Sequence, residues 1–255
     1  MIIPGMVSAT FRDQSPEHII ELCSQAGLKA IEWSEKAHIL PNDPSGAKIL
    51  GEKTRSVGLK VAAYGSYYRL GEQEKERINE TFKASLISAK AVDAPLIRIW
   101  GGKLPSQDVD DKKRKRLAEE ARMICELAKE QQIKVALEWH KNTITDTNES
   151  AEQFLKEVES DNLYCLWQPT VALNMRERCA GLEMLRKKGK LLNLHVYYWL
   201  DGVRRPLSEG LGEWKQYLSQ VDSCQERFGL LEFVMGNTKE QFLEDARAWI
   251  RFLQE

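Results

Sequence analysis

The chain has 255 residues, of which 42% are hydrophobic and 29% are charged. This balance is typical of a globular protein with a large buried core, and it excludes a disordered chain, a collagen-like chain and a small disulfide scaffold. The net charge of -1 gives no electrostatic reason to expect nucleic acid as a partner. The five cysteines are scattered and form no CxxC pair, so we expect reduced thiols and a cytoplasmic location.

The sequence shows no sign of a targeting or membrane-spanning segment. Its first residues carry no basic region ahead of the apolar ones, and no run approaches the roughly 18 apolar residues that a membrane helix needs. No stretch rich in proline, glycine and serine divides the chain. We therefore expect one domain over residues 1–255 and no membrane partner, while the sequence leaves the oligomeric state open, a homo-oligomer included.

Short apolar runs alternate along the chain with longer amphipathic stretches, a pattern that predicts strands and helices in alternation. The predicted strands cover 2–8, 28–33, 59–65, 95–100, 133–139, 163–168, 191–199 and 229–235. The predicted helices cover 16–26, 45–57, 72–92, 111–131, 149–159, 173–188, 212–226 and 239–254. Asn237 and Thr238 precede the last of these helices as an N-cap would.

The spacing of these units predicts the fold class. From Thr10 to Glu232 the chain advances by about 32 residues per strand-helix unit, which suits a (β/α)8 barrel. An open doubly wound sheet would favour a glycine-rich phosphate turn after its first strand, and MVSATFRD has no GxGxxG. We therefore predict an α/β protein with a single (β/α)8 TIM barrel.

Side-chain alternation sorts the strand residues between the two faces of the barrel wall. In VALEWH, Val135, Leu137 and Trp139 share one parity, which leaves Glu138 and His140 on the other. The apolar parity is expected to face the helices, so the polar parity faces the lumen. The same argument directs these residues into the lumen: Glu32, Arg98, Trp100, Gln168, Asn193, His195, Tyr197, Trp199 and Glu232.

A candidate metal site lies among these residues. Glu138, Gln168, His195 and Glu232 stand at or near the C-terminal ends of the last four predicted strands, where barrel enzymes place their chemistry. Buried charges need a metal, a substrate or one another, because desolvation costs several kcal/mol per ion. Two carboxylates, an amide oxygen and an imidazole suit a divalent metal ion.

A structural alternative stays open for the same residues. Glu138 and Glu232 would then be lumen carboxylates paired with Arg98 or Lys134 in an ion network. Glu32 and Arg98 could likewise pair with each other.

At this point the chain resembles the sugar phosphate isomerase/epimerase group of the xylose isomerase-like TIM barrel superfamily. The resemblance rests on LKAIEW with the following His38, VALEWH, LYCLWQP, NLHVYYW, EGLGEW and LLEFV, and it covers essentially the whole chain. It implies a divalent ion (manganese, magnesium, cobalt or zinc) held at Glu138, residue 168, His195 and Glu232. It also implies that Glu138 and Glu232 act as the acid-base pair that moves a proton on a ketose through an enediolate.

The chain departs from that group at specific positions. Gln168 stands where the group usually has aspartate, which removes one formal negative charge from the metal site. Val171 stands where the epimerases have a histidine, and Asp201 where they have an arginine, although Arg204 and Arg205 lie near.

Residues for substrate binding are expected around the same rim. By parity Trp33, Trp139 and Trp167 belong to the core, which leaves Trp100 and Trp199 as walls of a pocket. Loops that follow strands carry function in this architecture. The predicted substrate-binding residues are His38, Arg69, Trp100, His140, Trp199 and Arg204.

These observations lead to a metal-dependent isomerase or epimerase that acts on a small sugar, sugar phosphate or related polyol by a two-glutamate proton transfer. The alternatives are a metal-dependent lyase or dehydratase, because proton removal beside a polarised carbonyl can be followed by loss of water, and a sugar-binding barrel with a degenerate metal site. The related abasic-DNA endonuclease uses many more histidines and acids than this chain offers.

Overall fold

The computed structural model describes residues 1–222 and 224–255, and within them parallel strands close into an eight-stranded barrel. The neighbours around the barrel are β1, β2, β3, β4, β5, β6, β7 and β10, and β10 pairs back with β1. The barrel strands are β1 (Ile2–Val7), β2 (Ala30–Ser34), β3 (Lys60–Arg69), β4 (Leu96–Trp100), β5 (Lys134–Glu138), β6 (Leu163–Trp167), β7 (Leu191–Val196) and β10 (Arg227–Leu231). The predicted (β/α)8 fold is confirmed.

Helices surround this barrel, each after its strand. They are α1 (Pro16–Gln25), α2 (Pro44–Ser56), α3 (Ile78–Ala91), α4 (Asp111–Glu130), α5 (Asn148–Val158), α6 (Met175–Lys187), α7 (Leu211–Leu218) and α8 (Lys239–Phe252). In the described part of the chain, none of these helices has the length and apolar character to cross a membrane.

Local sequence determines where the helices begin. Ser15 accepts a hydrogen bond from the His18 backbone N–H, and Pro16 occupies the first turn of α1. The predicted cap of the last helix is confirmed, since the Thr238 side chain accepts from the Gln241 N–H.

The main core lies between the strands and the helices. Trp33, Trp139 and Trp167 are fully buried there, as their parity predicts. Trp33 Nε1 donates to Thr54 Oγ1 of α2 at 3.2 Å, which shows that its side chain faces the helices. Inside the lumen, small apolar clusters that include Ala62 and Ala136 fill the barrel. Of the polar lumen residues, Asn193 lies at the level of these clusters, where its Nδ2 donates to the Ala62 carbonyl oxygen.

Several predicted boundaries differ from the structure. Strand β3 continues to Arg69, so α3 begins at Ile78 rather than at residue 72. Helix α7 ends at Leu218, short of the predicted 226, and Ser223 of that prediction lies outside the described residues. The last barrel strand covers Arg227–Leu231 rather than 229–235.

The predicted strand 191–199 is two elements. Strand β7 ends at Val196, and a short antiparallel hairpin follows, made of β8 (Trp199–Leu200) and β9 (Val203–Arg204). Asp201 and Gly202 form its two-residue turn with φ of 50° and 77°. Positive φ at both positions is the hairpin geometry that an Asp-Gly pair favours. This hairpin pairs Trp199 with Arg204.

Candidate active site

A cavity of about 210 Å³ opens at the carboxyl ends of the barrel strands. Larger grooves lie on the outer surface beside α4, where mostly charged side chains line them. The cavity at the strand ends holds the polar residues predicted from the sequence. Its lining comprises Ala9, Arg12, Tyr67, Arg98, Trp100, Glu138, His140, Lys141, Gln168, Thr170, Val171, Tyr197, Trp199, Glu232 and Phe233.

Glu138, the last residue of β5, is held by donors on both carboxylate oxygens. Trp100 Nε1 donates to Oε2, and Arg98 Nη1 lies 3.2 Å from the same atom. Gln168 Nε2 donates to Oε1 at 3.1 Å. Gln168 also donates to the Trp139 carbonyl oxygen at 2.6 Å. The Gln168 amide nitrogen therefore faces Glu138, and only its Oε1 could serve as a metal ligand.

His195, on β7, lies between two carboxylates. Its Nε2 is 3.1 Å from Glu32 Oε2 and forms a hydrogen bond there. Its Nδ1 is 3.1 Å from Glu232 Oε2. That second approach lacks hydrogen-bond geometry, and Nδ1 is a buried atom without a hydrogen-bond partner. If Nε2 carries the proton towards Glu32, a lone pair on Nδ1 faces the Glu232 carboxylate, and a cation is needed between them.

The charges on these groups are strongly coupled. Burial opposes a charged imidazole, but the carboxylates of Glu232 and Glu32 outweigh it and raise the pKa of His195 to about 10. Burial likewise opposes an ionised Glu32, yet His195 and Arg98 hold the pKa of this carboxyl below its ordinary value. Without a metal ion, the position between His195 and Glu232 therefore attracts a proton.

Glu32 and Arg98 form the base of this network. Arg98 Nη2 lies 3.2 Å from Glu32 Oε1, and both side chains are almost fully buried. Arg98 Nη1 also donates to the Ser66 carbonyl oxygen at 3.1 Å. The suggested Glu32–Arg98 pair is thus present, and so is the Arg98–Glu138 contact. Lys134, the other suggested partner, instead lies over the ring of Tyr164, with Nζ 5.1 Å from the centroid.

The geometry fits a divalent metal ion. Ligand atoms of Glu138, His195 and Glu232 lie within 4.8 Å of one another, and all of these residues are buried. The unpartnered Nδ1 of His195 faces this group, while Glu32 holds Nε2, the arrangement in which an outer carboxylate orients a metal-bound imidazole. One donor on Glu138 Oε1 leaves that oxygen a further lone pair.

The predicted substrate-binding residues divide into those that line the cavity and those that do not. Trp100, His140 and Trp199 line it. Arg69 stacks on Trp100, 3.2 Å from the ring centroid, and Arg204 lies 5.4 Å from the centroid of Trp199, so both support the wall.

His38 lies away from the cavity. Its Nε2 contacts the Gln14 carbonyl oxygen at 3.2 Å, and its ring packs edge-on against Trp33. The loop that carries His38 folds towards the first helix, so the prediction that this residue binds substrate finds no support in its position.

Sequence reasoning missed Arg12 and Phe233, which both line the cavity. Phe233 follows Glu232 with φ of 49°, a left-handed conformation that is unusual for a bulky residue. This turn brings its ring to the mouth, whereas regular alternation after the lumen-facing Glu232 would place it on the helix side. The sequence carries no signal that separates Arg12 from other loop arginines.

The chain is similar to known proteins in sequence and in fold. The profile of the xylose isomerase-like TIM barrel family matches residues 20–251. A curated relative, 3-dehydroshikimate dehydratase of Bacillus anthracis, is 40% identical over 263 residues, and the alignment covers 92% of each chain.

Solved structures with the same fold include a dehydratase and a zinc-binding protein. The probable 3-DHS dehydratase AsbF of Bacillus anthracis, involved in petrobactin synthesis, superposes with a TM-score of 0.80 and 20% identity over 98% of this chain and 99% of that chain. The IolI protein with a bound zinc atom gives a TM-score of 0.72 and 17% identity, over 99% and 98% of the two chains. Sugar epimerases are also among the structural matches.

Proposed function

Because this chain belongs to the xylose isomerase-like TIM barrel family, we propose that it is a metal-dependent lyase that removes water from a small hydroxylated ketone. The candidate substrate is 3-dehydroshikimate, on which the curated relative acts by its name. The observation that carries the proposal is the orientation of His195, whose buried Nδ1 faces Glu232 while Glu32 holds Nε2. We treat residues 1–255 as the catalytic domain.

In this proposal Glu138, His195 and Glu232 hold the metal ion, and Gln168 Oε1 is a further candidate ligand. A bound divalent ion supplies Lewis acidity at the carbonyl of the substrate. Glu32 keeps the imidazole oriented, and Arg98 offsets part of the negative charge of the glutamates.

His140 is the candidate proton carrier. Its Nδ1 lies 2.6 Å from the Lys141 carbonyl oxygen, an acceptor that fixes the proton on Nδ1 and leaves a lone pair on Nε2. Its ring stacks on Trp100, with centroids 5.8 Å apart and an angle of 26°. The residue lines the cavity, so a base held in a fixed orientation faces the substrate.

His140 alone can both remove the proton from the substrate and return it to the leaving group. His140 Nε2 takes the proton from the carbon next to the carbonyl, and the electron pair of that C–H bond moves towards the carbonyl oxygen. The pair returns to form a carbon–carbon double bond as the C–O bond at the next carbon breaks. His140 gives its proton to the departing hydroxyl, which leaves as water.

The position of Glu138 favours a lyase over the two-glutamate epimerase predicted from the sequence. Epimerisation on that plan needs each carboxylate to exchange a proton with the substrate carbon. Glu138 already accepts from Trp100 and Gln168 and pairs with Arg98. Donors of the protein therefore already engage both oxygens of this carboxylate, which leaves it poorly placed to exchange a proton with a substrate carbon. The dehydratase relative fits the same alternative.

The test begins with protein purified without chelators. Its metal content is measured, and it is incubated with 3-dehydroshikimate while mass spectrometry follows the product. We expect a bound divalent ion and a product lighter by one water. Proton exchange from D2O into ketoses, with no loss of water from 3-dehydroshikimate, would instead identify an epimerase. The absence of both bound metal and turnover would support the degenerate binding barrel.

Two histidine variants make the test specific. His140→Gln should abolish turnover and keep the metal, since His140 is not among the proposed ligands. His38→Gln is the matched control, because His38 also follows a barrel strand but contacts Gln14 instead of the cavity. Equal loss of activity in both variants would contradict the role of His140.

A further inference from the structure

We propose that Arg12, which lines the cavity, and Arg204, which packs against the lining residues Trp199 and Phe233, form a clamp that binds the carboxylate of an anionic substrate at the rim. The inference rests on the proposed function for the identity of that anion, because 3-dehydroshikimate carries a carboxylate. It adds the direction in which the substrate enters: the anionic end stays at the rim, and the ketone points towards His195.

The clamp is built around the ring of Phe233. The Arg204 guanidinium carbon lies 4.9 Å from the centroid of this ring, and that of Arg12 lies 5.8 Å from the same centroid. Arg12 also lies over Tyr67, 6.0 Å from its centroid. Two cations on elements far apart in sequence, the loop after β1 and strand β9, therefore share one aromatic platform.

Both guanidinium groups remain available to an anion. Within residues 1–222 and 224–255, neither arginine has an acidic partner in an ion pair. Arg204 Nη1 donates to the neutral Asn237 Oδ1 at 2.7 Å. A guanidinium that packs its flat face on an aromatic ring keeps its N–H groups at the edge, where they match the two oxygens of a carboxylate.

The backbone holds Phe233 in place for this role. Its φ of 49° is costly for a residue with a large side chain. The Phe233 N–H donates to Thr10 Oγ1 at 3.2 Å, and Thr10 lies just before Arg12 in the same loop. This hydrogen bond thus joins Phe233 to the loop that carries Arg12.

Charged residues are distributed unevenly between the deep end and the rim of the cavity. Glu32, Glu138 and Glu232 occupy the deep end, where Arg98 pairs with Glu32 and Glu138 and the proposed metal ion would offset the remaining negative charge. Arg12, on the rim, is exposed and lines the same cavity as Glu138 and Glu232. The guanidinium groups at the rim therefore attract the anionic end of the substrate, while its ketone would lie towards the residues that hold the metal ion.

The test measures binding of benzoate and of benzamide, which has the same size and no charge, by calorimetry on the full-length protein. It is performed with and without a chelator, so that a metal-bound carboxylate is recognised. We expect benzoate to bind about tenfold more tightly than benzamide, with the preference retained in chelator. Arg12→Gln and Arg204→Gln should each remove the preference.

Arg205→Gln is the matched control. Arg205 is next in sequence to Arg204, but it is exposed and pairs with Glu209 at 2.9 Å. The preference for benzoate should survive in this variant. Equal affinity of the wild type for both probes, a preference that persists in both clamp variants, or an equal loss in Arg205→Gln would each overturn the proposal. Thermal unfolding of every variant checks that the fold is retained.

Further measurements separate this inference from the proposed function. Benzoate binding needs no turnover, so a protein that fails to dehydrate 3-dehydroshikimate can still show an arginine-dependent preference. If turnover is found, Arg12→Gln should raise KM about tenfold and leave kcat nearly unchanged; an unchanged KM overturns the clamp and leaves the lyase standing. Displacement of benzoate by an equal concentration of inorganic phosphate would overturn the assignment to a carboxylate.

Discussion

The two sides of the barrel mouth surround their glutamates with different groups. On the side of β4 to β6, Glu138 accepts from Trp100 and Gln168 and pairs with Arg98. On the side of β7 and β10, Glu232 faces an imidazole nitrogen that lacks a hydrogen-bond partner. Residues of the same type at matching strand ends are thus engaged in different ways. Glu138 therefore has a stabilising role beside its proposed role as a metal ligand, whereas the role of Glu232 depends on the metal ion.

The largest effect is expected at Glu232. Glu232→Gln removes the charge that faces His195 Nδ1, so the site should lose its metal ion and activity should fall on the order of 1,000-fold. The metal content of the purified variant and its rate with 3-dehydroshikimate check this prediction. Retention of one metal ion per chain at wild-type affinity would contradict the proposed role of Glu232 in holding the metal ion.

Glu138 should affect stability more strongly. Glu138→Gln removes an acidic partner of Arg98, which is buried with Glu32, and breaking a buried ion pair costs about 3 kcal/mol. Urea unfolding of the metal-free wild type and of both glutamine variants measures the difference. If Glu232→Gln loses more stability in chelator than Glu138→Gln does, the proposed difference between the two glutamates is wrong.

Asp245 shows how burial changes the pKa of a carboxyl group whose hydrogen-bond donors are neutral. Asp245 on α8 accepts from the Leu207 N–H and from Gln241 Nε2, both neutral donors, and burial raises the pKa of Asp245 to about 6. A raised pKa means that the folded state takes up a proton, so this group lowers stability as pH rises from about 4 to 6.

Replacement of Asp245 isolates that pH dependence. Above pH 6, Asp245→Asn should be more stable than the wild type by on the order of 2 kcal/mol, and below pH 4 the two should converge. Chemical unfolding across this pH range measures the difference. A constant difference at every pH would contradict the assignment.

The smallest effect is expected at Gln168. Gln168→Asp adds a negative charge at the metal site but removes the donor to Glu138 and to the Trp139 carbonyl. We expect metal affinity to rise about tenfold and stability in chelator to fall, because like charges then face each other. Gln168→Asn is the neutral control. Unchanged metal affinity in the aspartate variant would show that residue 168 does not reach the ion.

The sequence was sufficient for the barrel and for the position of the polar lumen residues. Unit spacing and strand parity depend on local geometry, which explains why Trp33 lies in the core and why His195 and Glu232 meet across 37 residues of chain. Parity states where a side chain points. It does not state which hydrogen-bond donors surround that side chain, so the different surroundings of Glu138 and Glu232 could not be predicted.

Loops account for what the sequence did not reveal. His38 and Arg12 both follow barrel strands, yet His38 turns towards Gln14 and Arg12 lies at the cavity. The hairpin that carries Arg204 had a local signal in Asp201 and Gly202, a pair typical of a tight turn. Phe233 had none, because its left-handed backbone breaks the alternation on which the prediction relied.

The most direct test of the metal site is anomalous diffraction from crystals of the protein soaked with Mn²⁺. We expect one strong peak at metal-ligand distance, about 2.0–2.3 Å, from His195 Nδ1 and from a carboxylate oxygen of Glu232, with Glu138 next to it. A peak elsewhere in the barrel, or none at saturating Mn²⁺, would contradict the central claim that these residues hold a metal ion.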